Sequence, residues 1–122
     1  MLEIVREWVE RGDSDFKAAK LLAQQKGLEN QAGFHCQQAI EKLLKALLQD
    51  NNIKFTKIHD LAELLRLSNS LFPDLDEIEE DLEWLTIFSV EFRYPGETAL
   101  KEDAEQAFAI MKNSWEKIFS LL

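Results

Sequence analysis

Apolar positions recur along this chain at helical spacing, and no segment alternates as a strand would. Leu2, Val5, Val9, Gly12, Phe16, Ala19 and Ala23 step by three and four residues, and Lys26 continues the series. That period lines one face of an α-helix. Gly27 supplies a stop signal, so a long first helix is expected to close near Lys26-Gly27.

A second helix is carried by "AGFHCQQAIEKLLKALLQD", Ala32 to Asp50, with Asn30 as its expected N-cap. Ile40, Leu43, Leu44 and Leu47, with Cys36, make its apolar face. His35, Gln38, Lys42, Lys45 and Gln49 fall within an arc of about 80° on the opposite side. By periodicity this polar row is a wetted face, with Glu41 and Lys45 as an i, i+4 pair worth about 0.3 kcal/mol. The alternative is a binding surface, since lysines and amides one turn apart can hold a phosphate and a base edge. Gln37 lies on the margin of the apolar arc, where an amide needs a partner from another helix or another subunit.

Asp50-Asn51-Asn52 is a turn-forming cluster. A short third helix follows "KIHDL", with Leu61, Leu64 and Leu65 inward. Asp60 suits the positive end of that helix. The chain restarts at Phe72-Pro73, and Leu75, Ile78, Leu82, Leu85, Ser89 and Phe92 again step by three and four. Pro95 disfavours helical geometry at Tyr94, so "RYPG" ends this fourth helix. A last helix from about Thr98 buries Ala104, Ala107, Phe108, Met111, Trp115, Ile118, Phe119 and Leu122. The reading is all-α: an up-and-down antiparallel bundle of four long helices plus one short helix, in one domain over residues 1–122. Trp8, Trp84, Ile87 and Phe88 fall off these stripes and suggest a second apolar face that a homodimer would cover.

Composition narrows the function. A length of 122 residues and 46% hydrophobic content suffice for one core. Cys36 is the only cysteine, so an intrachain disulfide is excluded, and its place on the apolar arc reads as packing. No basic n-region opens the chain and no uncharged run approaches the roughly 20 residues of a membrane span, so a cytoplasmic protein with no membrane association is expected.

The net charge of −9 weighs against general electrostatic binding of RNA. Seven acids lie between Pro73 and Trp84, and no Lys or Arg occurs between Arg66 and Arg93. These acids interleave with Leu75, Ile78, Leu82 and Leu85 without calcium-loop spacing, which reads as a solvated face. Neither His35 nor His59 has a second ligand at zinc spacing, and no phosphate loop is present, so no metal or cofactor is implied. Three places remain for chemistry. They are the row on the second helix, His59-Asp60 as a general acid or base or a structural pair, and Arg93 beside its Pro-Gly turn.

Together these motifs resemble the HEPN family of small helical domains. The resemblance rests on Phe34, Gln37-Gln38-Ala39, Glu41-Lys42 and Lys45-Ala46, then on His59-Asp60-Leu61 and Arg93-Tyr94-Pro95. Trp8 and Phe16-Ala18-Ala19 also fit it. It implies a dimer, and for small prokaryotic members a separately encoded minimal nucleotidyltransferase as partner, in a toxin–antitoxin-like or nucleotide-handling pair. Many active members are metal-independent ribonucleases in which an Arg is followed, after four to six residues, by a His.

Here Arg93 fits the first position, but Thr98, Ala99 and Leu100 stand where the His should be. The resemblance therefore implies a non-catalytic module that binds a nucleotide or partner through Gln38, Lys42, Lys45, His59, Arg93 and Tyr94. The alternative is a degenerate endoribonuclease using Arg93 with His59 or Tyr94.

Overall fold

The structure, a computed structural model, describes residues 1–122; the side chain of Arg93 lies outside the described residues. The expected all-α bundle is present. Its helices are α1 (Glu3–Leu22), α2 (Glu29–Asp50), α3 (Leu61–Ser68), α4 (Glu79–Leu85), α5 (Ile87–Val90) and α6 (Lys101–Phe119). Two 3₁₀ segments, Pro73–Ile78 and Glu91–Arg93, flank α4 and α5.

Helix α2 sits at the centre and is packed by α1, α6, α3 and α5. Its surroundings explain why so much of it is apolar: Ile40, Leu43, Leu44, Leu47 and Leu48 are all fully buried. Removing that surface from water is the main force holding the bundle, at roughly 25 cal/mol per Å². Two glycines let its neighbours approach closely. A Cβ on Gly12 of α1 would lie 3.2 Å from the Ala39 carbonyl and 3.2 Å from the Trp115 ring. Gly33 of α2 accommodates the Phe88 ring of α5 directly.

Several boundaries differ from the sequence reading. Helix α1 ends at Leu22 because Gln24 and Gln25 turn back onto the carbonyls of Leu21 and Leu22, at 3.3 and 3.0 Å. Gly27, at φ +93°, serves the turn into α2 instead. Asn30 is not the N-cap of α2; Leu28 holds that place and Asn30 lies in the first turn.

The fourth stretch keeps its predicted inward stripe but is built in pieces. At its break Thr86 donates to the Leu82 carbonyl at 2.9 Å and accepts the Leu61 N–H at 3.0 Å. The last helix starts at Lys101, three residues late, where Leu100 N–H donates to Asp103. Asp60 does cap α3, accepting from the Glu63 N–H at 3.1 Å.

The second apolar face is corrected too. Phe88 is fully buried, and Trp84 and Ile87 pack against the same core. Trp8 is half-buried, edge-on to Phe55 with ring centroids 6.5 Å apart. The acidic run faces outward for the most part, and Arg66 crosses to it, meeting Glu79 at 3.2 Å and Glu83 at 2.7 Å.

Cys36 is fully buried, and burial pushes its thiol up to about 12. The native thiol is therefore expected to stay silent to Ellman's reagent at pH 8 and to titrate as one thiol per chain in urea. The neutral thiol contributes its stability in full below the ordinary value near 9, and that contribution is lost as pH rises toward 12. Rapid reaction without denaturant would show that this part of α2 opens readily.

Candidate functional site

The polar row on α2 is not a wetted face. Two carboxylates meet it, one from α1 and one from α2 itself. Asp15, 8% exposed, lies 2.7 Å from His35 Nδ1 and also pairs with the Lys42 ammonium. Glu41, 4% exposed, takes the Lys45 ammonium at 3.0 Å and has His59 Nδ1 3.2 Å from both its oxygens. Each buried acid thus serves one lysine and one histidine.

Gln37 joins the second group to the chain beyond. Its amide donates to Glu41 at 3.2 Å and to the His59 carbonyl at 2.9 Å, and it accepts from Gln38 at 2.8 Å. The partner its burial required is therefore the backbone ahead of α3, within the same chain. Lys45 is itself 6% exposed, and its ammonium stands 5.6 Å from the Trp8 ring centroid, a cation–π distance.

A cleft opens where this layer ends. It measures about 540 Å³, within the range of small-ligand sites, and lies between the start of α2 and the segment from Phe92 to Thr98. Phe34, His35, Phe92 and Tyr94 line it, with Gln31, Glu97 and Thr98. Tyr94 is 65% exposed. The backbone of Arg93 closes the 3₁₀ turn immediately before it.

Asn30 fastens the far side of this segment. Its Oδ1 accepts the Ala99 N–H at 2.6 Å, and its amide donates to the Glu97 carbonyl at 3.4 Å. Ala99 points into the core at 3% exposure.

The segment between the "RYPG" turn and α6 is set against the helix that carries Phe34, Gln37, Gln38, Glu41 and Lys45. The HEPN domain model matches residues 5–120. The chain belongs to the HEPN family. No curated protein and no solved structure matches it.

Of the expected contacts of this HEPN domain, Gln38, Lys45 and His59 are brought into one hydrogen-bonded group with Gln37 and Glu41. Lys42 belongs to the Asp15 group, and Tyr94 stands at the cleft. Asp15 was not among the candidates, although it lies beside the first apolar stripe and directly across from His35. An acid bordering an apolar seam was the available signal. Among the described residues no three His, Cys, Asp or Glu side chains converge as a metal site would require. Nor is any helix long and apolar enough to cross a membrane.

Proposed function

We propose that this HEPN domain is a binding module that does not cut RNA. It pairs with a second copy, works with a separately encoded minimal nucleotidyltransferase, and holds a nucleotide in the cleft beside Arg93 and Tyr94. Gln38, Lys42, Lys45 and His59 stand outside that cleft's lining, each held by Gln37, Asp15 or Glu41, and their side chains reach a ligand only by giving up these partners. The dimer and the nucleotidyltransferase come from the family resemblance; the cleft comes from the geometry.

The observation that carries the reading is Ala99. It occupies the stretch where a ribonuclease of this family needs an imidazole, and it is buried and tied by its N–H to Asn30. A general acid or base must reach the proton it transfers, and a methyl group in the core supplies none. The nuclease alternative keeps one support, since Tyr94 follows Arg93 and lines the cleft, whereas His59, its other candidate, is held by Glu41 away from that lining.

Titration with AMP and ATP to millimolar concentration is expected to raise the melting temperature by about 4 °C, the shift that about 1–2 kcal/mol of ligand linkage produces in a domain this small. Labelled RNA incubated in EDTA is expected to remain intact with wild type and with Arg93→Ala alike. Cleavage by wild type and not by the variant would establish the nuclease; no nucleotide stabilisation would remove the ligand from the binding reading.

A further inference from the structure

We infer that His35 is the cationic contact for the nucleotide's phosphate, that Asp15 positions it, and that the phosphate enters together with a proton. The inference rests on the proposal that a nucleotide occupies the cleft, and it names the contact and the regulation of that site.

Phosphate in a cleft needs a positive charge or a set of strong donors. The two lysines that the sequence offers do not supply it, because Lys42 is held by Asp15 and Lys45 by Glu41, and neither lines the cleft. Among the described side chains that do line it, His35 alone can become a cation. Its imidazole is one-third exposed, and its Nδ1 is 2.7 Å from Asp15 Oδ1.

In a neutral ring the Nδ1 proton is the one donated to the Asp15 carboxylate, and Nε2 carries a lone pair. An anion cannot accept a hydrogen bond from a lone pair. For a phosphate oxygen to sit at Nε2, one proton must be added there, and Asp15 already faces the ring to balance the resulting charge. Among the described residues, the other ionisable groups at the ring or its cleft are Lys42, which pairs with Asp15, and Tyr94 and Glu97 in the cleft lining. Glu97 opposes an anion, so the proton on His35 is needed the more.

Binding of a nucleotide is therefore linked to a proton on His35: affinity falls as pH rises, by up to about tenfold per unit for one proton. The experiment is calorimetry of AMP binding to the full chain from pH 6 to pH 8, in buffers of different ionisation heat, for wild type, His35→Gln, Asp15→Asn and Glu97→Gln. Comparison with His35→Gln cancels the titration of AMP's own phosphate.

Wild type is expected to take up more protons on binding than His35→Gln, and to bind about tenfold more tightly at pH 6.5. Asp15→Asn should keep the binding but displace its pH profile to lower pH, which a purely structural role for Asp15 would not do. Glu97→Gln, an exposed change that leaves the fold alone, should tighten binding about threefold by removing a like charge. Equal proton counts and equal affinities for wild type and His35→Gln would overturn the inference while leaving AMP in the cleft. Failure of wild type to bind AMP at millimolar concentration would overturn both.

Discussion

Replacing Glu41 with alanine is expected to remove about 3–5 kcal/mol of folding stability, the range seen when one partner of a buried ion pair is deleted. The reason lies in what stays behind. Lys45 is 6% exposed and would keep an ammonium under Trp8 and Phe55 with no carboxylate. Gln37, fully buried, would lose one of its acceptors, and His59 would lose the group that holds its ring.

Urea unfolding at unchanged m-value is the measurement. The same substitution made in a Lys45→Met background should cost at least 1 kcal/mol less, because the stranded charge is then gone. A loss below 1 kcal/mol in the otherwise native chain would mean that water reaches this layer freely, and the buried-network account would fail.

Gly33→Ala carries the second large effect, and it runs against helix propensity. Alanine in a helix interior is ordinarily favoured over glycine by about 1 kcal/mol. At this position the added Cβ would stand 2.0 Å from two ring carbons of Phe88. That ring is fully buried and hemmed in by Trp84, at 5.6 Å between centroids, and by Phe92, at 4.8 Å. It has no solvent to swing into, so α5 must move off α2.

Overpacking of this kind costs about 1–3 kcal/mol. A net loss of about 1–2 kcal/mol is therefore expected for Gly33→Ala once the propensity gain is set against it, and most of it should return in Gly33→Ala with Phe88→Leu. A variant as stable as wild type would show that the ring can turn aside. Because Phe92 lines the cleft, the proposed nucleotide binding should weaken along with stability.

The helices were legible because each writes its inward face into residues three and four apart. The stripes of α2 and α3 are buried as expected, and so are Leu75, Ile78, Leu82 and Leu85, with Ala104, Ala107, Met111 and Ile118 of α6, whereas Phe119, expected inside, is 46% exposed. What periodicity could not show is what a helix's other side meets. His35, Lys42 and Lys45 looked wet because a helical wheel knows only its own residues. Asp15, the partner of His35 and Lys42, is 20 residues before His35, and although Lys45 pairs with Glu41 of its own helix, the rings beside it are Trp8 and Phe55.

Asn30 misled for a related reason. Its amide suits a cap, yet backbone groups 67 and 69 residues later claim it. Phe88 looked surplus to its own helix because its socket is the missing side chain of Gly33. Gln37 was the exception, since an amide on the margin of an apolar arc announces that it needs a partner. The breaks in the fourth stretch were hidden because 3₁₀ and α geometry both keep a residue three positions on near the same face.

The tie between Asn30 and Ala99 also sets an order of events. A chain emerging from its N-terminus can lay α1 against α2 as soon as residue 50 is free, and can close the α3 layer soon after. The face of α2 destined for α6 stays bare through all of this, and Asn30 keeps an unanswered amide until nearly the last fifth of the chain has been made. Domains tend to assemble as their parts become available during synthesis. A nascent HEPN chain of this kind would carry its ion-paired layer before residues 92–98 had completed the cleft and before Ala99 had tied it to Asn30.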